Sequence, residues 1–179
     1  MRRHELAHTA AAHTDGASHD HAVCIDALLD RAKHSFGEKG LKLTALRLRV
    51  LEEIAASHDA VGAYDVLERL AARSGGKVAP ISVYRAIEAL REAGVVHRLE
   101  SRNAFFACHA PHLGRHGHMA LVCDKCAEVV EVEAPDLYAS LQRAGRDRGF
   151  AVTSAIAEGF GVCELCRAEA IKTAHEEQS

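Results

Sequence analysis

From Val23 onward, apolar side chains recur at helical spacing, with Ile25, Leu28, Leu29, Ala32 and Phe36 forming one stripe that Gly37 and Gly40 close. A second helix is predicted after Thr44, a hydroxyl residue suited to an N-cap, with Leu46, Val50, Leu51 and Ile54 as its buried face. A third starts near Ala63 and buries Val66, Leu67 and Leu70 before the Ser74-Gly75-Gly76 break. The fourth starts near Ser82, buries Val83, Ile87 and Leu90, and stops at Gly94. On that fourth helix Tyr84, Arg85 and Glu88 fall opposite the apolar stripe. The period then shortens: Val95 to Leu99 and Ala104 to Cys108 are β-favouring runs separated by Glu100-Ser101-Arg102-Asn103, which predicts a hairpin.

Short helices followed by a hairpin is the order of a winged helix-turn-helix, whose last helix enters the major groove while the hairpin flanks the DNA backbone. Arg85 is the candidate base reader, because a guanidinium can donate two parallel bonds to guanine, worth about 1 to 3 kcal/mol of discrimination. Tyr84 beside it can meet a thymine methyl or a phosphate. The second half reads as strands over His118 to Val122 and Val129 to Val132, an amphipathic helix from Pro135 to Arg148, and a strand-like stretch from Phe150 to Phe160. The predicted fold is α+β: a winged helix-turn-helix over residues 22–103 and a small α/β domain over 104–179. Residues 1–21 hold almost no large apolar side chain but carry His4, His8, His13, His19 and His21, which predicts a disordered tail.

Composition narrows the function. With 48% hydrophobic and 26% charged residues and no apolar run of spanning length, the chain is not expected in a membrane. Its start lacks the apolar core of a secretory signal, so a cytoplasmic, reducing location is expected. There six cysteines are better metal ligands than disulfides. The net charge of -3 disfavours nucleic acid on its own, but the charge is uneven. Residues 41–102 hold ten Lys and Arg against eight Asp and Glu, whereas 105–179 hold seven against eleven. The first half is thus the candidate DNA face.

Cys123-Asp-Lys-Cys126 and Cys163-Glu-Leu-Cys166 are two paired knuckles that together offer four thiolates, a set tetrahedral zinc takes readily and that contributes directly to folding. The 36 residues between the pairs imply that they bracket a strand-helix-strand unit. A second set straddles the two halves: His97 and Cys108 on the hairpin, then His116, His118 and Glu131. A mixed nitrogen, sulfur and oxygen shell again suits zinc, and a thiolate makes hard-oxygen metals poor candidates.

The runs Leu43-Thr-Ala-Leu-Arg47, Ser57 to Asp65, Ser82-Val-Tyr-Arg-Ala86 and Gly94-Val-Val-His97, together with the knuckles, resemble the ferric uptake regulator family of metalloregulators. Val96 to Ser101, Cys108-His109 and the first knuckle are similar to its zinc-uptake-regulator branch. The resemblance spans residues 25–167. It implies a C-terminal dimerisation domain, a homodimer on double-stranded operator DNA, and at least two zinc ions per subunit. A structural zinc would sit on Cys123, Cys126, Cys163 and Cys166, and a regulatory zinc on His97, Cys108, His116 and Glu131, with His118 as the alternative to His116. Tyr64 and Arg85 would read the operator. The implied function is a zinc-responsive repressor of zinc-uptake genes, with no small-molecule substrate. Three other readings stay open: an iron- or peroxide-responsive regulator of the same fold, a zinc-buffering module suggested by 13 histidines, and a zinc hydrolase. The last needs an open water position and a nearby general base, as on a His-Glu-x-x-His helix, and no such helix is expected here. An enzyme is therefore not expected.

Overall fold

A computed structural model describes residues 21–56, 59–74, 78–108, 118–153 and 155–176. The N-terminal half holds four helices, α1 (His21–Glu38), α2 (Ala45–Ala55), α3 (Ala63–Ser74) and α4 (Pro80–Ala93). Each predicted stripe is buried: Leu28, Phe36, Leu51, Ile54, Leu70, Ile87 and Leu90 are at most 1% exposed and share one core. Leu46 and Leu67 sit half-buried at its margin. Thr44 caps α2, its hydroxyl accepting from the Arg47 N–H at 3.3 Å, a contact worth about 1 kcal/mol. The fourth helix starts two residues before Ser82, because Pro80 takes the first turn, where its fixed φ fits and its missing N–H costs nothing. It ends on Gly94 at φ 78, a left-handed cap that favours glycine. The one buried carboxylate of the described residues, Glu53 on α2, is held by Arg73 of α3 at 2.7 Å.

The hairpin follows as β1 (Val96–Leu99) and β2 (Ala104–Ala107), with Val96 opposite Ala107 and His97 opposite Phe106. A 3-10 turn, η1 (Glu100–Arg102), and Asn103 at φ 49 close it. Val61 adds a short third edge, exchanging backbone bonds of 2.8 Å with Phe105. Side chains of a strand alternate between its faces. Val96 and Phe105 therefore enter the helical core, whereas Leu99 and Phe106 face the other way and join Ala120, Val122 and Val129 in a second, smaller core. The hairpin is a wall shared by both halves. The boundary expected at residue 104 falls within this hairpin, whose strands pair from Val96 and Ala107 to Leu99 and Ala104.

Beyond it lie β3 (His118–Cys123), β4 (Val129–Glu133), α5 (Pro135–Arg146), β5 (Glu158–Gly161) and α6 (Glu164–Glu176). The sheet order is β4-β3-β5, with β3 antiparallel to β4 and parallel to β5. The strand-like stretch expected from Phe150 to Phe160 is strand only over β5. Residues 150–153, 155 and 156 are not strand, and Phe150 is 69% exposed; β-favouring side chains do not make a strand without a neighbour to pair with. No helix was expected over α6. The fold is thus α+β, a winged helix-turn-helix joined to a small α/β unit. Residues 1–20, most of the expected tail, lie outside the described residues, and α1 already begins at His21.

Candidate metal centres and DNA-facing surface

The parallel pairing of β3 with β5 explains how the distant cysteine pairs meet. Cys123 stands opposite Gly161, and the Asp124 N–H donates to the Gly161 carbonyl at 2.7 Å, so both knuckles leave the same end of the sheet. Cys123 ends β3, Cys126 lies in the following turn, Cys163 precedes α6 and Cys166 is in its first turn. The four sulfurs lie within 4.8 Å of one another, with Cys126 and Cys163 at 3.7 Å. Four thiolates at about 2.3 Å from a tetrahedral zinc stand about 3.8 Å apart, so the donor set and its spacing fit that ion. Burial pushes the Cys123 thiol up, but the backbone N–H groups of Cys126, Cys163 and Lys125 outweigh it and bring the thiol down to about 6. Burial pushes Cys126 well above the ordinary thiol range and Cys166 up to about 11. Ionising all four together calls for a cation among them.

The same period-two logic assembles the second cluster. His97 shares the face of Leu99, Cys108 continues β2 on the face of Phe106, and Glu131 shares the face of Val129, so all three point into the space between the halves. Their ligand atoms lie within 4.8 Å of one another, and Cys108 is 2% exposed. His97 Nε2 is 3.4 Å from Glu131 Oε1, and the His97 ring packs on Phe106 at 5.8 Å. A cleft of about 250 Å³ has His97, Arg91, Arg98 and Ile156 in its wall. An imidazole nitrogen, a thiol and a carboxylate make a partial shell suited to zinc. His116 lies outside the described residues. His118 opens β3 opposite Glu133, and only its backbone is described.

Two residues that support this cluster escaped the sequence reading. Arg31 on α1 donates through its guanidinium to the Cys108 carbonyl, fixing the chain at that cysteine. Glu158 at the start of β5 accepts the Glu100 and Ser101 N–H groups at 2.6 and 3.2 Å, fastening the hairpin tip to the sheet. Both contacts join residues more than fifty positions apart, and no local pattern signals them. The His-Glu-x-x-His motif, not expected in this chain, does occur near its start. His4-Glu5-Leu6-Ala7-His8 has the His-Glu-x-x-His spacing of zinc hydrolases, but it lies outside the described residues, and residues 1–20 supply almost no large apolar side chains to bury such a helix.

Tyr64 of α3 and Tyr84 of α4 are 68% and 40% exposed and meet edge to face at 6.4 Å. Arg85, next to Tyr84 in sequence, is exposed as well. All three expected DNA-facing residues are thus exposed, Tyr64 on α3 and Tyr84 and Arg85 on α4. No described helix is long and apolar enough to cross a membrane.

Comparison with known proteins agrees with this architecture. The chain is 32% identical over 139 residues to the zinc uptake regulation protein of Escherichia coli (strain K12), covering 78% of this chain and 81% of that one. It is 29% identical over 137 residues to the ferric uptake regulation protein of Neisseria gonorrhoeae, covering 74% and 90%. Among solved structures, a zinc uptake regulator complexed with zinc and DNA matches with a TM-score of 0.75 at 31% identity, over 82% of this chain and 97% of that one. Holo XcZur matches with a TM-score of 0.71 at 35% identity, over 80% and 99%. The family model described as "Ferric uptake regulator family" matches residues 38–158, and the chain belongs to that family.

Proposed function

We propose that this protein is a cytoplasmic, zinc-responsive transcriptional repressor that binds palindromic operator DNA as a zinc-loaded homodimer and controls genes of zinc uptake and homeostasis. The observation that carries the reading is the second cluster, whose ligand atoms come from both halves: His97 and Cys108 from the hairpin and Glu131 from β4. One structural relative is a zinc uptake regulator complexed with zinc and DNA, and the buried thiol of Cys108 favours zinc over a harder ion.

In this reading Cys123, Cys126, Cys163 and Cys166 hold a structural ion that closes the end of the α/β unit. His97, Cys108, Glu131 and a fourth ligand, His116 or alternatively His118, hold the regulatory one. Zinc, when bound there, supplies bonds that tie the hairpin to the sheet. His97 and Cys108 then fix the angle of the winged helix relative to β4, and Arg31 and Glu158 hold the same hairpin at its base and tip. With that angle fixed in both subunits, the two copies of α4 acquire a set separation, which only a matching pair of half-sites accepts. Arg85 reads a base edge, and Tyr64 and Tyr84 pack against bases or backbone. Exposed Leu121, Val130, Leu137 and Leu141 give the α/β unit an apolar surface that a second subunit would cover.

The test is a mobility-shift titration on a palindromic, AT-rich duplex, before and after chelation weak enough to spare the four-thiolate ion. A coupling of about 5- to 150-fold is expected, and DNA must tighten the grip of His97, Cys108 and Glu131 on the ion by the same factor. Unchanged affinity would remove the sensor claim while leaving DNA binding in place.

A further inference from the structure

The exposed large hydrophobic side chains of the described residues fall into two groups. Those from Leu121 onward belong to the α/β unit; those before it are Tyr64, Ile81 at 59% and Tyr84. All three stand toward the N-terminal ends of adjacent helices, Tyr64 second in α3, Ile81 second and Tyr84 fifth in α4. The tyrosines carry a hydroxyl that suits a wet surface. Ile81 has no polar atom in its side chain, and its neighbours in sequence give no reason to leave it in water.

Its position is specific. Ile81 and Arg85 are four residues apart on one helix and so lie next to each other on the same face. Residues at the N-terminal end of a recognition helix are the ones that meet base edges. Among the major-groove edges only thymine presents an apolar group, its C5-methyl, and an aliphatic side chain cannot replace the polar contacts that phosphates or the other bases require.

We infer that Ile81 is a specificity-determining residue, packing on the C5-methyl of a thymine next to the base pair that Arg85 reads. This deepens the DNA-binding reading above and rests on it.

The experiment separates the two. A duplex is first enriched from a randomised library by the full-length, zinc-loaded protein, and each thymidine of one half-site is then replaced in turn by deoxyuridine, which removes only the methyl. At one position the replacement is expected to weaken the wild-type chain about fourfold, the value of one buried methyl-sized group. Ile81→Ala is expected to weaken binding to the thymine duplex at least as much, and to be indifferent to deoxyuridine at that same position. Ile81 is largely in solvent, so the variant should fold, and an unchanged melting temperature checks this.

Equal sensitivity of wild type and variant to deoxyuridine at every position would overturn the inference while sparing DNA binding. So would a variant of unchanged DNA affinity but altered oligomeric state without DNA, which would assign the patch to a contact between copies. Failure to enrich any duplex would overturn the DNA-binding reading and this inference with it.

Discussion

His97 Nε2 and Glu131 Oε1 stand 3.4 Å apart, one on the wing of the helical half and the other on the central sheet of the α/β half. A pair this close, with the Cys108 sulfur beside it, brings three kinds of donor atom to one point between two units. Removing the sulfur should cost more than a surface substitution. Cys108→Ser is expected to bind one zinc fewer per subunit, to keep the four-thiolate ion, and to lose about 5- to 150-fold in operator affinity. Metal analysis alongside a shift assay checks both. A serine variant that still repressed in response to iron would instead favour an iron-responsive regulator.

Arg85→Ala tests the other end of the molecule. Operator affinity should fall by about 1 to 3 kcal/mol with relaxed preference at one base pair, while zinc stoichiometry stays unchanged. Unchanged affinity and base preference would remove Arg85 as the base reader, and absence of zinc-dependent operator binding in the wild type would return the chain to the zinc-buffering reading.

Much of this was legible from residue order alone. The stripes of α1 to α4, the Thr44 cap, the Gly94 stop and the two cysteine pairs are local signals, and local signals survive in a sequence. What was not legible depends on strand pairing. The meeting of Cys123 with Cys163 follows from a parallel β3–β5 ladder, and β5 occupies only the last few residues of a longer β-favouring stretch. Helix α6 was missed because Glu-Leu-Cys-Arg-Ala-Glu-Ala-Ile spreads its few apolar residues without a stripe. Arg31 and Glu158 act across tertiary contacts, on backbone atoms that any residue would offer.

Glu158 also gives a pH dependence of defined sign. Burial raises its carboxyl, but the Ser101 hydroxyl and the Glu100 and Ser101 N–H groups outweigh this, so its folded value lies below the ordinary 4.5. A depressed carboxyl stabilises the fold fully above the unfolded value and ceases to as pH falls through the folded one. Glu158→Gln should therefore melt below wild type at neutral pH, by the equivalent of about 1 kcal/mol. The gap should close below pH 4.5. Thermal unfolding of both chains from neutral to acidic pH measures it, and a gap independent of pH would refute the bond.

Ala127, just after the first knuckle, is held at φ 65, a left-handed conformation that costs a non-glycine residue about 1 kcal/mol. Ala127→Gly should raise the melting temperature of the zinc-loaded protein or leave it unchanged, with metal content intact. A clear drop would show that the methyl group packs usefully.

The most direct test of the shared ion is zinc-edge X-ray absorption on protein carrying one and then two equivalents per subunit. The first equivalent should show only sulfur neighbours, at about 2.3 Å. The difference spectrum of the second should show one sulfur with nitrogen and oxygen neighbours, and the sulfur should vanish in Cys108→Ser. A second equivalent ringed only by nitrogen and oxygen, and unaltered by Cys108→Ser and Glu131→Ala, would contradict the account.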